Sequence, residues 1–190
     1  MKRLISLFLI FAFAGWSLAS ANVKFQAEGK ISFAEGGRIC PGDTPEILIS
    51  GDVTATMTSN TAPSPNVITY SMQSAPYYAW QAFDGSTSTR WLCNSFPGWI
   101  KYNWGAGNSH HIVKLAIKSY SNAYPKNIGI YGSNDDSAYT HLASSTLANN
   151  TNWQTVTWEN TTKHQYIKIY IADSYNASAD PVEIELWEQL

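Results

Sequence analysis

A short segment of this chain places a carboxylate, a glycine and several hydroxyls at a spacing that suits cation binding. It runs from Ala82 to Trp91 and contains Asp84, Gly85 and Thr89. Glycine adopts the positive φ that a tight turn requires, so the loop can turn its carbonyl groups and the Thr89 hydroxyl toward the Asp84 carboxylate. Oxygen ligands of this kind suit Ca²⁺. The segment therefore predicts a calcium-holding loop, and the alternative is an ordinary turn before a core tryptophan.

The elements that would position this loop are strands. Three segments alternate apolar and polar residues with the period of a strand that has one buried face. Turn-rich stretches separate them, and no window keeps a helical period. The predicted fold class is all-β, an antiparallel β-sandwich. The inward residues of the three strands are predicted to be Val113, Leu115 and Ile117; Ile167, Ile169 and Ile171; and Val182, Ile184 and Leu186.

The N-terminus has the features of an export signal. Lys2 and Arg3 precede an apolar run over residues 4–14, and small residues at 19–21 form a cleavage site. The apolar run is too short to span a membrane comfortably, and no other segment is long and apolar enough. We therefore expect residues 1–21 to be a signal peptide of a secreted or extracellular protein. In a bacterium this means the periplasm or the cell surface, and a virion surface is a further possibility.

The charge of the chain excludes two classes of partner. It has 12 basic and 14 acidic residues, and removal of residues 1–21 leaves 10 against 14, a net charge of −4. A weakly acidic domain is a poor nucleic-acid binder. It also lacks the Lys and Arg clusters that hold proteins on anionic lipid. About 169 residues remain, enough for one domain with a sizeable core.

Four further motifs follow the Asp84 segment, and in this order and spacing the chain resembles the discoidin, or coagulation factor 5/8 type C, family. Bacterial carbohydrate-binding modules are relatives of that family. The resemblance covers residues 52–190 and implies a galactose-binding-like jelly-roll sandwich. Residues 22–51 lack the family's features and are predicted to form an added hairpin or an arm that docks on a partner protein. The motifs are Gly98–Gly105, Tyr124–Ile128, Ile130–Asp136 and Val182–Leu186.

The chain departs from the family's pattern at several places. Asn103–Gly105 reads Asn-Trp-Gly where the family usually has Asp-Leu-Gly, and Asp135–Asp136 replaces Asp-Gly. Vertebrate members often join the ends of the domain by a disulfide, whereas the cysteines here are Cys40 and Cys93. Two cysteines of an exported chain can pair, so a Cys40–Cys93 bridge and two buried thiols are both open. The closer comparison is with microbial or viral members.

The resemblance also points to Glu183 as a ligand of the cation loop. With Val182 and Ile184 facing inward, Glu183 lies on the other face of the last strand and can approach the loop. The alternative is a solvated glutamate on an exposed strand face. The predicted set of ligands for a structural Ca²⁺ is Asp84, Ser86, Thr89 and Glu183.

In this family, recognition uses loops that emerge from one end of the sandwich. Aromatic rings stack on the apolar face of a sugar while amides and hydroxyls bind its OH groups, and both types occur in these loops. The tryptophans of the framework motifs, Trp91, Trp99 and Trp104, are assigned to the core. The predicted carbohydrate-binding residues are Tyr77, Tyr78, Asn94, Phe96, Asn122 and Tyr124.

These features predict a secreted binding module for cell-surface or extracellular carbohydrate, and not an enzyme. The chain has no serine-hydrolase elbow, zinc-binding His-Glu pair or phosphate-binding glycine loop. The alternative is a structural or attachment protein of a virion or surface assembly, with residues 22–51 as its docking arm. Phospholipid binding would need basic residues that the loops do not offer.

Overall fold

The computed structural model describes residues 22–25, 31–34 and 49–189. The predicted signal peptide and Cys40 lie outside these residues. β1 (Asn22–Phe25) and β2 (Ile31–Ala34) pair antiparallel, with Asn22 opposite Ala34, and they belong to a first unit that ends at Pro45. The assignment of residues 22–51 as an added hairpin or a docking arm stays a prediction.

The second unit, residues 46–190, is built from two antiparallel sheets. This confirms the predicted all-β sandwich. Within the described region this unit has one short helix, a 3₁₀ helix over Ala79–Phe83. None of the described helices is long and apolar enough to cross a membrane. One sheet has four strands, in the order β3 (Ile49–Asp52), β11 (Pro181–Gln189), β6 (Ile112–Ser119) and β9 (Gln154–Thr157). The other has five, in the order β4 (Val67–Tyr70), β5 (Gly98–Asn103), β10 (Tyr166–Ile171), β7 (Asn127–Ser133) and β8 (Thr140–Thr146).

The core lies between the two sheets and follows the predicted alternation on β10, but on β11 it does so only in part, because Val182 is buried at the register shift between Pro181 and Glu183 and is not part of the core cluster. All three isoleucines of β10 are buried in it, together with Ile184 and Leu186 of β11. Trp91 and Trp104 are core residues as predicted. The assignment of Trp99 to the core is wrong, because Ile100 and Tyr102 occupy the inward positions of β5 and alternation turns Trp99 outward, where it is half-buried.

The prediction for β6 is correct in part. Leu115 and Ile117 join the core, but Ile112 does so in place of Val113. The pairing of β6 with β11 shifts in register between the pairs Lys114–Trp187 and Ile112–Glu188. A shift of one residue reverses which side chains face inward, and this irregularity lies beyond what a simple alternation predicts.

Cys93 is a fully buried free thiol among the described residues, and burial raises its pKa to about 11. Its proposed bridge to Cys40 stays a prediction. With Cys93 reduced, we expect the folded chain to resist alkylation at about pH 8 and to react once unfolded, because the thiolate is the nucleophile. Mass spectrometry of the alkylated, non-reduced protein measures the modification of each cysteine. If Cys93 is bridged to Cys40, neither cysteine is alkylated even after unfolding. Rapid modification of Cys93 in the folded chain would contradict its burial.

Candidate functional site

Three loops meet at one end of the sandwich. Consecutive strands run antiparallel, so the segments 71–97, 120–126 and 172–180 all leave from the same end. Backbone hydrogen bonds join them: Tyr120 N donates to Asp180 O at 2.9 Å, and Ala179 N donates to Cys93 O at 2.8 Å. The loops therefore form one connected surface, which we call the loop end.

At the loop end, an arginine side chain lies between two tyrosine rings. The Cζ atom of Arg90 is 3.8 Å from the ring centroid of Tyr77 and 4.0 Å from that of Tyr120. A guanidinium stacked on aromatic faces is attracted by their π-electron density, and it keeps its N–H groups pointing outward in the plane. We call this arrangement the Arg90 stack. It joins the first loop to the second through side chains.

A buried carboxylate fixes the orientation of the Arg90 stack. The Nε atom of Arg90 donates to Oδ2 of Asp180 at 3.1 Å, and this is its one hydrogen bond to the described residues. Asp180 is buried, and its Oδ1 has no partner within the described region. Burial raises the pKa of Asp180, and the positive charge of Arg90 opposes that rise. The terminal NH₂ groups of Arg90 make no hydrogen bond to the described residues.

The six predicted carbohydrate-binding residues all lie in the loops of this end, in different settings. Tyr77 takes part in the Arg90 stack. Tyr78 is 36% exposed, and Asn94 is also exposed. Asn122 is exposed on a tight turn, where its φ of 61° places it in the left-handed region. Tyr124 is half-buried, and its carbonyl accepts a hydrogen bond from Tyr175 N at 3.0 Å.

Phe96 differs from the other predicted residues, because its ring packs against the hydrophobic core. Arg90, Tyr120 and Asp180 belong to the site but are absent from the residues predicted from the sequence. Arg90 lies in the predicted calcium-loop segment, and Tyr120 begins one of the loops that carry predicted residues. The signal in the sequence is that the three loops are rich in aromatic residues and contain two basic residues, Arg90 and Lys126, in a chain with few charges.

The Asp84 segment forms the expected turn. Gly85 has a φ of 71°, and Ser86 N donates to Oδ1 of Asp84 at 2.9 Å. The Thr89 hydroxyl lies 2.7 Å from Oδ2 of Asp84 and 3.3 Å from the carbonyl oxygen of Ser86. The hydroxyl of Ser86 instead accepts a hydrogen bond from Ser88 N at 3.2 Å. The carboxylate, a hydroxyl and a carbonyl thus come together on one side of the turn.

Glu183 lies beside this turn, and the alternative of a solvated glutamate is wrong. Its side chain is buried, with a relative exposure of 7%, and its Oε2 is buried without a partner among the described residues. Burial, followed by the negative charge of Asp84, raises the pKa of Glu183 from 4.5 to about 8. Two carboxylates held together without a counter-charge are unfavourable unless one takes up a proton or a cation lies between them.

The donor set fits a hard cation. The described residues contain no group of three or more His, Cys, Asp or Glu side chains placed to hold a metal ion. A cation here would have to use the carboxylates of Asp84 and Glu183 with the hydroxyl and carbonyl oxygens of the turn. Ca²⁺ accepts such mixed oxygen ligands, whereas zinc prefers His and Cys. A cation here would give the buried Oε2 of Glu183 the partner that it lacks among the described residues.

Comparison with known proteins gives a family match over this unit. Residues 59–185 match the sequence model of the F5/8 type C domain. A comparison with curated protein sequences finds no match.

Solved structures of similar fold include carbohydrate-binding modules. The family 32 module of NanJ from Clostridium perfringens, in complex with galactose, has a TM-score of 0.58 and 21% identity over 65% of this chain and 93% of that chain. A second module from Clostridium perfringens, in complex with GalNAc-β-1,3-galactose, has a TM-score of 0.57 and 16% identity over 64% and 94%. Chitosan-binding module 1 from Paenibacillus sp. IK-5 has a TM-score of 0.56 and 23% identity over 65% and 94%. At these identities the likeness shows the fold.

Proposed function

Because the chain belongs to the F5/8 type C domain family, we propose that it is a non-catalytic module that binds carbohydrate at the loop end. The family scaffold carries many ligands, so the argument for carbohydrate rests on the residues of the site. The described residues of the loop end offer aromatic rings, amides and one oriented guanidinium. These groups recognise a sugar without breaking a bond.

The Arg90 stack is the observation that carries the proposal. A pyranose needs a flat apolar surface for its C–H face and fixed donors for its hydroxyls. Tyr120 is 44% exposed and supplies an aromatic ring at the surface. The NH₂ groups of Arg90 supply donors, and their direction is fixed by the two tyrosine rings and by Asp180. A donor held in place loses little conformational entropy when the ligand binds.

The similar structures support the same ligand class. Two of them were solved with galactose or a galactose-containing disaccharide, and another is a chitosan-binding module. A single shallow site of this kind binds weakly, with a dissociation constant on the order of 1 mM, or about −4 kcal/mol. Repetition of the module on a larger assembly would raise the avidity.

We also propose that Ca²⁺ binds between the Asp84 turn and Glu183. The carboxylates of these two residues would hold the ion, with the Thr89 hydroxyl and the Ser86 carbonyl as neutral ligands. The bound ion would supply the missing positive charge, and the buried carboxylate of Glu183 would remain ionised at neutral pH. Its role is structural, since it would tie the 71–97 loop to β11.

The signal-like residues 1–21 support export, so we place the module outside the cytoplasm. The attachment-protein alternative shares the fold and would use residues 22–51 for contact with a partner. The described parts of the chain add no observation that favours it over carbohydrate binding.

We expect Tyr120→Ala to weaken carbohydrate binding by about tenfold, because it removes the exposed ring of the Arg90 stack. The experiment screens the secreted chain on a glycan array and then titrates the strongest hit, with tyrosine and tryptophan fluorescence as the readout. Tyr166→Ala is the matched control, since it removes a half-buried tyrosine from the outer face of the five-stranded sheet. Equal affinity of the Tyr120 variant and the wild type, or no binding to any glycan, would contradict the assignment.

A further inference from the structure

A groove crosses the outer face of the five-stranded sheet. Its volume is about 420 Å³, within the range of small-molecule sites, and none of its lining residues belongs to the Arg90 stack. Ile128 and Ile130 of β7 face the core, so alternation turns Gly129 and Tyr131 toward the groove. Tyr170 of β10 faces the same way, between the core residues of its strand.

Two tyrosine rings form the walls. The ring centroids of Tyr131 and Tyr170 are 6.5 Å apart, and their planes meet at 83°. Both side chains are half-buried, so each keeps part of its surface open to a ligand. His141 of β8 packs against Tyr131 with its ring centroid 5.2 Å away. The walls are thus held by ring contacts before any ligand arrives.

Gly129 makes the floor. A Cβ atom at this position would lie 2.9 Å from Cε2 of Tyr131 and 3.1 Å from its hydroxyl oxygen. The Tyr131 ring therefore lies directly over the backbone of Gly129, and a larger residue would push it away. Glycine is unfavourable in the interior of a strand, and here its missing side chain lets the Tyr131 ring lie over the backbone.

Hydroxyls and an amide line the remaining side. Thr146 Oγ1 donates to Oδ1 of Asn127 at 2.7 Å, and the Ser144 hydroxyl lies 2.7 Å from Nε2 of His141. A hydroxyl can donate one hydrogen bond and accept two, so these groups keep capacity for a ligand while their positions are set. The lining holds no charged side chain. Lys168, on the same face, has its Nζ 3.8 Å from the centroid of the Tyr139 ring and 5.5 Å from the centroid of the Tyr131 ring.

We propose that this groove is a second saccharide site, which binds an uncharged oligosaccharide. Perpendicular aromatic walls offer a stacking surface for a pyranose ring, and the row of hydroxyls on β8 offers partners for its OH groups. The lining residues themselves carry no charge to pair with a uronate or a sulfate, which suits a neutral sugar, and the acidic probe below tests the effect of Lys168 beside Tyr131. The site goes beyond the proposed function, because it is independent of the Arg90 stack. With both sites on one rigid unit, a polysaccharide would bind more tightly than a monosaccharide.

The test is an NMR titration of the ¹⁵N-labelled full chain. The neutral probes are β-1,4-linked oligosaccharides of glucose, galactose and N-acetylglucosamine. An oligo-uronate is the acidic probe. We expect amide shifts at Gly129 and Ser144 with at least one neutral probe. Tyr170→Ala should weaken that binding by about tenfold, as the loss of one anchor ring does. Tyr166→Ala removes a tyrosine from the same strand and face outside the groove, and should change the affinity less than about twofold.

The outcomes separate this site from the loop end. Shifts at Tyr77 and Tyr120 without shifts at Gly129 would overturn the groove and leave the proposed function standing. Shifts at Gly129 without shifts at the loop end would support the groove and count against the proposed function. Groove shifts with the oligo-uronate alone would overturn the assignment to neutral sugars, as would equal effects of the two tyrosine variants. Thermal melts of both variants show whether either change acts through folding.

Discussion

In the presence of a chelator, the folded domain is expected to lose stability as the pH rises from about 4.5 to about 8. A glutamate has an ordinary pKa of 4.5, and in the folded chain the pKa of Glu183 is raised to about 8. Burial is the main cause of the rise, and the negative charge of Asp84 is the second. Between these values the folded state binds a proton that the unfolded state has released, so raising the pH favours unfolding. The contribution from Glu183 alone is up to about 5 kcal/mol. Chemical denaturation at pH 5 and pH 8 measures it.

Excess Ca²⁺ should remove most of this pH dependence, since the ion replaces the proton as the counter-charge. At about 100 times its dissociation constant it adds roughly 2.7 kcal/mol of stability, and its affinity rises with pH. Glu183→Gln should make the chelated domain more stable at pH 8 and abolish the response to Ca²⁺. Glu185→Gln is the matched control, because it removes the same charge from the same strand.

A smaller pH dependence of the same sign should persist in Glu183→Gln, because the pKa of Asp180 is also raised by burial. The calcium proposal fails if Ca²⁺ leaves the midpoint of the wild type unchanged at pH 8. The account of Glu183 as a buried proton-binding group fails separately, if the chelated domain is equally stable at pH 5 and pH 8.

Arg90→Ala is expected to destabilise the domain by about 3–5 kcal/mol and to abolish carbohydrate binding at the loop end. The change leaves Asp180 buried without the cationic partner it has among the described residues, and an unpaired buried charge costs that much. It also removes the donors held between Tyr77 and Tyr120. Arg90→Lys keeps the charge but loses the planar stack, so stability should recover in part while binding stays weak.

The double variant Arg90→Ala/Asp180→Asn separates the two effects. Removing both charges should restore much of the lost stability. The change in unfolding free energy of the double variant, minus the sum of the changes in the two single variants, gives the coupling energy of the pair. Binding should remain absent in the double variant. Lys126→Ala is the control, since it removes a cation near another loop-end ring, with Nζ 5.6 Å from the centroid of Tyr175. Wild-type stability of Arg90→Ala would show that the pair does not stabilise the fold.

The sequence alone determined the fold class and the turn at Asp84. A buried strand face needs an apolar residue at every second position, and this local rule placed the isoleucines of β10 correctly. The turn depends on the positive φ of Gly85, which is again a property of a few neighbouring residues. The same local rule predicted Leu186 and Ile184 as core residues.

Only the tertiary structure decided which polar residues meet. Arg90, Tyr120 and Asp180 lie far apart in the chain, and the crossing of loops from different strands brings them together. Trp99 turned outward because its neighbours on β5 took the core positions, and a framework motif does not encode that choice. The raised pKa of Glu183 likewise depends on its burial and on the nearby charge of Asp84, which comes from a distant part of the sequence. Charge, burial and stacking arise between segments, so spacing along one segment predicts strands and turns but not the electrostatics of the site.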